Sequence, residues 1–83
     1  MAKARIAVIG AGLMGHGIAQ VFALAGHDVT ITDAMAQNLE TVKSSITTNL
    51  RDLGEDEGAV ARVRPSADLA EAVRDADYVV EAV

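Results

Sequence analysis

The chain has 83 residues, a net charge of −5 and 51% hydrophobic residues, with one Phe and one Tyr as its only aromatic residues. A chain this short can bury one small core but not two, and its acidity argues against nucleic acid or an anionic membrane surface as a partner. It has no cysteine, which excludes disulfides and thiolate metal sites. It also lacks an apolar run long enough for a signal peptide or a membrane span, so we expect a cytoplasmic protein.

The first predicted strand leads directly into a glycine-rich turn. The apolar run at residues 5–9 predicts a β-strand, and residues 10–15 read Gly-Ala-Gly-Leu-Met-Gly. A helix is predicted next, with an apolar face that repeats at three- and four-residue steps and ends before Gly26; its members are Met14, Ile18, Val21, Phe22 and Ala25. Three glycines between a strand and a helix are typical of a loop that binds the diphosphate of a dinucleotide.

Each glycine has a predicted role in that loop. We expect Gly10 to form the tight turn after the strand, because it has no Cβ to restrict its backbone angles. Gly12 leaves room for a pyrophosphate at the helix N-terminus, where free N–H groups favour an anion. Gly15 lets the helix lie close to the first two strands, and Gly17 is interpreted as a packing residue. The alternative is that the glycines only interrupt a loop.

The second predicted strand, residues 29–32, is followed by Asp33. An acidic residue about 20 positions after the glycine loop can accept hydrogen bonds from both adenosine ribose hydroxyls of NAD. The same charge would repel a 2′-phosphate, and residues 34–36 contain no Arg or Lys to hold one. We therefore predict NAD rather than NADP as the cofactor. Asp33 is equally suited to act as the N-cap of the next helix, and the two roles are compatible.

The remaining elements continue the alternation of strands and helices. A long helix after Asp33 has an apolar face formed by Leu39, Val42, Ile46, Leu50 and Leu53, and Gly54 ends it. An acidic loop at residues 54–58 and a short third strand at 60–64 follow, and Pro65 ends that strand. Asp68 and Glu71 have the spacing of a capping box for a short helix. Residues 78–83 form the last predicted strand.

This alternation predicts an α/β fold, a Rossmann-like doubly wound parallel sheet truncated at about four strands. The expected strand order is 3-2-1-4, with the ligand crevice between strands one and four. Ala82 and Val83 would then lie beside that crevice, where their backbone could approach the cofactor.

The chain resembles the N-terminal NAD-binding region of the L-3-hydroxyacyl-CoA dehydrogenase family. The residues that carry the resemblance are 8–20, 26–29 and 75–83, and the match is weakest at 54–64, where family members commonly have a longer and more basic segment. The Met in the glycine loop and the Glu-Ala pair at the end of the last strand are more discriminating than the glycines alone. The resemblance assigns cofactor contacts to seven residues: Gly10, Gly12, Leu13, Met14, Gly15, Asp33 and Ala82.

The resemblance also implies an activity for the complete enzyme. Family members oxidise the 3-hydroxyl of an acyl-CoA by hydride transfer to NAD, with a His base oriented by a Glu. That dyad and the helical substrate and dimerisation domain lie beyond the region represented here. We therefore expect residues 1–83 to be a partial NAD-binding Rossmann domain without catalytic or metal-binding residues, inactive alone. His16 and His27 are not expected to act as bases.

Two other functions are compatible with the sequence. The chain could belong to a different NAD-dependent hydroxyacid dehydrogenase, because these enzymes share a glycine loop that contains Met. It could also be a stand-alone, non-catalytic nucleotide-binding or assembly module. Whichever function applies, a sheet that ends at its fourth strand has an exposed edge, so we expect the chain to self-associate.

Overall fold

Four strands form one parallel sheet in the computed structural model, which describes residues 3–83. The strands are β1 (Arg5–Ile9), β2 (Asp28–Thr32), β3 (Val63–Pro65) and β4 (Tyr78–Glu81). Their order is β3-β2-β1-β4, so the predicted fold class and strand order are confirmed. The last residue of β1, Ile9, pairs with Thr32 on one side and Glu81 on the other, which brings three strand ends together.

Helices cover both faces of this sheet. The helices α1 (Leu13–Leu24) and α2 (Ala36–Leu53) pack on the face that buries Ile6 and Val8 of β1. The short helix α3 (Leu69–Arg74) contacts β1 and β2, and its Ala72 is buried. Because side chains alternate along a strand, Ala7 points to the face opposite that of Ile6 and Val8. Within residues 3–83, no helix is both long and apolar enough to cross a bilayer.

The buried face of α1 agrees only in part with the predicted one, of which Ile18 and Phe22 are partly buried against the core. The residues it buries are the small ones, Gly15, Ala19 and Ala23, whereas Met14 and Val21 are 68% and 64% exposed. Small side chains allow the helix axis to lie close to the sheet, so the sheet selects them over the larger residues one position away. Periodicity alone cannot make that choice, because both sets repeat at helical spacing.

The segment before β3 also corrects the prediction. Residues 57–62 form a 3-10 helix, so the third strand begins at Val63 rather than at residue 60. The Asp56 carboxylate accepts a hydrogen bond from the Gly58 N–H and starts that helix. The Arg62 guanidinium donates to the Ala23 carbonyl at 3.0 Å, which fastens the segment to the end of α1. Pro65 is tolerated as the last residue of β3 because this is an edge strand.

The start of α3 has half of the predicted capping box. The Asp68 carboxylate accepts from the Glu71 N–H at 3.2 Å, but the Asp68 N–H donates to the Ser66 hydroxyl. The Glu71 carboxylate pairs instead with the Arg64 guanidinium at 3.2 Å. The last strand is shorter than predicted, since it ends at Glu81.

Candidate functional site

A cleft of about 560 Å³ opens at the carboxyl ends of β1, β2 and β4. Four of the seven predicted cofactor residues line it: Gly10, Gly12, Asp33 and Ala82. The cleft is mostly apolar, and its walls include the half-exposed side chains of Met35 and Leu69. It lies where the strand order reverses between β1 and β4, which is the usual position of a ligand in an open α/β sheet.

The glycine loop is held tightly between β4 and α1. Gly10 has a φ of +107°, and a Cβ on it would lie 3.0 Å from the Ala82 carbonyl carbon and oxygen. A Cβ on Gly15 would lie 1.6 Å from the Gly10 carbonyl oxygen. No side chain fits at either position without a backbone shift. Gly15 therefore permits the predicted close approach of α1, which contacts both β1 and β2.

Gly12 has a different environment from the other two loop glycines. It is the N-cap of α1, and a Cβ on it would meet nothing within 4 Å. It has no side chain to cap the helix, so no side chain at the N-cap accepts from the N–H groups of the first turn, and Gly12 itself lines the cleft. This combination of free donors, open space and the positive end of the helix dipole fits an anion such as a diphosphate.

Asp33 is the most extensively bonded side chain of the cleft. Its Oδ2 accepts hydrogen bonds from the Ala11 N–H at 2.7 Å and the Asn38 amide at 3.2 Å, and its Oδ1 accepts from the Met35 N–H at 2.7 Å. These bonds, above all the one from Ala11, hold the pKa of Asp33 below its usual value against the opposing effect of burial. Asp33 is therefore ionised at neutral pH. It is not the N-cap of α2, which is Met35.

The other three predicted residues, Leu13, Met14 and Gly15, lie outside the lining of the cleft. Leu13 and Met14 lie in the first turn of α1 with mostly exposed side chains, and neither lines the cleft. The Ala82 N–H donates to the Ile9 carbonyl at 2.8 Å, which keeps the chain beside β1 just past the end of β4. Sequence reasoning missed Asn38, which lines the cleft and contacts Asp33. The only sequence feature that could have indicated it is that a polar residue stands five positions after Asp33.

Neither histidine is placed to act as a base in the cleft. His16 donates from Nδ1 to the Gly12 carbonyl at 3.0 Å, and its Nε2 accepts from the Asn49 amide at 3.2 Å, so both ring nitrogens are engaged. His27 is 6% exposed, and its Nδ1 accepts from the Ala4 N–H beside the amino end of β1. Residues 3–83 contain no cluster of three or more metal-ligating His, Asp or Glu side chains.

Comparison with a family model gives a match over nearly the whole chain. Residues 5–83 match the model described as "3-hydroxyacyl-CoA dehydrogenase, NAD binding domain". The matched region therefore includes the glycine loop, Asp33 and the residues after β4.

Comparison with individual curated proteins identifies relatives in the same family. The chain is 34% identical to a probable 3-hydroxyacyl-CoA dehydrogenase of Caenorhabditis elegans and 35% identical to the mitochondrial hydroxyacyl-coenzyme A dehydrogenase of Homo sapiens. Each alignment covers 94% of this chain but 29% of the relative. The chain thus spans less than a third of the length of these relatives.

Solved structures share the fold over the full length of the chain. The 3-hydroxybutyryl-CoA dehydrogenase of Escherichia coli matches with a TM-score of 0.84 at 32% identity, covering 98% of this chain and 19% of that one. A diketoreductase also matches with a TM-score of 0.84 at 32% identity, over 100% of this chain and 33% of that one.

Proposed function

Because the chain belongs to the 3-hydroxyacyl-CoA dehydrogenase family and forms the NAD-binding part of it, we propose that the cleft at the carboxyl ends of β1, β2 and β4 is its NAD site. The observation that supports this most directly is the pairing of Gly12 with Asp33 in one cleft. Gly12 provides open space beside free N–H donors, and Asp33 provides an ionised acceptor at the end of β2.

The two ends of the cofactor would contact different residues. The pyrophosphate lies at the first turn of α1, with Gly10 and Gly15 keeping the loop closed and Leu13 and Met14 contributing backbone N–H groups. The adenosine ribose lies against Asp33, and the carboxylate disfavours the 2′-phosphate of NADP. The apolar side chains of Met35 and Leu69 suit the adenine ring, and Ala82 borders the cofactor on the β4 side.

The complete enzyme is proposed to oxidise a 3-hydroxyacyl-CoA, with NAD accepting the hydride. The base that removes the hydroxyl proton would come from outside residues 1–83, because both nitrogens of His16 are bonded and His27 lies at the opposite end of the sheet. This chain alone would bind the cofactor without turnover. A cytoplasmic location stays a prediction, since the human relative is named as a mitochondrial enzyme.

Titration of NADH and NADPH into the 83-residue chain, followed by calorimetry, tests this proposal. We expect NADH to bind more tightly than NADPH. Asp33→Asn keeps the shape of the side chain but removes its charge, so it should weaken NADH binding by about tenfold or more. The same variant should narrow the difference between NADH and NADPH. Asp52→Asn, an exposed carboxylate on α2, is the matched control and should leave both affinities unchanged.

Two results would contradict the proposal. A chain that is folded by circular dichroism but binds neither nucleotide does not form an NAD site by itself. Equal loss of NADH affinity in the Asp33 and Asp52 variants would assign the effect to net charge and not to the cleft.

A further inference from the structure

We propose that the adenosine ribose is held by two side chains, with one hydroxyl on Asp33 and the other on the amide oxygen of Asn38. This inference rests on the proposed NAD site and defines how that site recognises the ribose. It departs from the expectation that Asp33 alone accepts from both hydroxyls.

The bonding of Asp33 is the first part of the argument. An ionised carboxylate offers about four acceptor positions, two on each oxygen. Three are occupied in this structure, two on Oδ2 by the Ala11 N–H and the Asn38 amide, and one on Oδ1 by the Met35 N–H. One position on Oδ1 remains. A ribose diol brings two donors, so its second hydroxyl needs another acceptor or must displace an existing bond.

Asn38 supplies that acceptor. Its Nδ2 is engaged with Asp33 at 3.2 Å, which fixes the orientation of the amide plane and leaves Oδ1 as the free end of the group. Within residues 3–83 this oxygen makes no hydrogen bond. Asn38 lines the same cleft as Asp33 and is partly exposed, so a ligand bound there can contact its side chain.

The backbone keeps Asn38 in place. Its own N–H donates to the Met35 carbonyl at 3.0 Å in the first turn of α2. One turn further along the helix, Val42 is almost fully buried in the core. Because the amide is neutral, it adds a hydrogen-bond acceptor beside Asp33 without a second negative charge, so the pKa of the carboxyl is not raised.

The decisive experiment compares Asn38→Ala with the wild-type chain using three ligands. These are NADH and its two analogues that lack either the 2′- or the 3′-hydroxyl of the adenosine ribose. Asn38→Ala should weaken NADH binding by about fivefold to tenfold, as expected for the loss of one hydrogen bond. It should change the affinity of one of the two analogues by less than about twofold, because that analogue lacks the hydroxyl that would donate a hydrogen bond to Asn38.

Controls separate this role from a structural one. Gln37→Ala removes a neighbouring exposed amide on the same helix and should leave all three affinities unchanged. If Asn38→Ala does not fold, the side-chain amide resonance of Asn38 in the wild-type chain provides the second measurement. It should shift when NADH is added and should shift much less with the matching deoxy analogue.

The inference is wrong if Asn38→Ala weakens NADH and both analogues by the same factor, or if it has no effect on NADH. Neither result would argue against the proposed NAD site itself. Absence of NADH binding by the wild-type chain would instead remove both the proposed site and this inference.

Discussion

Gly15 and Gly17 lie two residues apart on α1 in opposite environments. A Cβ on Gly15 would collide with the Gly10 carbonyl oxygen, whereas a Cβ on Gly17 would meet nothing within 4 Å outside the backbone of α1 itself. The sequence predicted a packing role for both. Only Gly15 has one, so Gly17 is a helix-interior glycine without a packing partner in residues 3–83.

Alanine at these two positions should have opposite effects. Gly15→Ala should lower the free energy of unfolding by about 3 kcal/mol, because the backbone of the glycine loop must move. Gly17→Ala should raise it by about 0.5–1 kcal/mol, because Ala is the better helix former. Urea denaturation followed by circular dichroism measures both. Stabilisation by Gly15→Ala would show that α1 does not lie against Gly10 as described.

Residue-level prediction from the sequence was best where a motif fixes the chemistry. The positions of Gly10, Gly12 and Asp33 at one cleft follow from the order of the elements. The hydrogen bond from Ala11 to Asp33 and the contribution of Asn38 do not, because they depend on side-chain orientation across a loop. The cofactor contacts assigned to the seven motif residues stay predictions.

At the scale of elements, α2 shows why helical periodicity is incomplete. The predicted apolar face included Ile46 and Leu53, but Ile46 is fully buried and Leu53 is 66% exposed. Leu53 is the last residue of α2, beyond the end of the sheet core. Spacing determines the side of a helix that is apolar, whereas the extent of the neighbouring sheet determines how much of that side is covered.

Truncation of these two residues should therefore have very different costs. Ile46→Ala should destabilise the chain by about 2–5 kcal/mol, because it leaves a cavity in the core. Leu53→Ala should change stability by less than about 0.5 kcal/mol. If Ile46→Ala prevents folding, Ile46→Val should still cost about 0.5–1.5 kcal/mol in thermal or urea denaturation. Equal costs for Ile46→Ala and Leu53→Ala would contradict the described core.

Strand order and parallel pairing were predictable because short connections and right-handed crossovers leave few alternatives. The start of β3 was not predictable, because two contacts hold the 3-10 helix at residues 57–62 that precedes it. These are the capping bond that the Gly58 N–H donates to the Asp56 carboxylate and the bond that Arg62 donates to the Ala23 carbonyl. The second joins residues 39 positions apart, so no local pattern can reveal it.

At the scale of the whole molecule, the surface beside β4 is the candidate site for the predicted self-association. Within residues 3–83 no strand pairs with the outer edge of β4, and Val79 is half-exposed. A shallow apolar groove beside it is lined by Met14 and Val21 of α1 together with Val80. We propose that a second copy pairs with this edge and covers this groove, because an open edge next to apolar side chains is a template for another chain.

Light scattering should then give a mass that rises with concentration from the micromolar to the millimolar range. Val79→Lys should shift the chain toward monomer, because a charged side chain protects a strand edge. Leu53→Lys replaces another exposed apolar residue, 66% exposed against 52% for Val79, and lies on α2 away from β4, so it should leave the association unchanged. A constant monomer mass across the full range would contradict the proposal.

The bond between Asp33 and the Ala11 N–H has a consequence for how the two ends of the cleft communicate. It joins the residue at the end of β2 to the peptide of the glycine loop over 2.7 Å. In the proposed NAD site, a ribose that moves the Asp33 carboxylate would therefore change its hydrogen bond to the glycine loop beside the pyrophosphate, and the effect would be reciprocal. If the cleft binds NAD as proposed, the affinities for the adenosine and diphosphate moieties should therefore depend on each other.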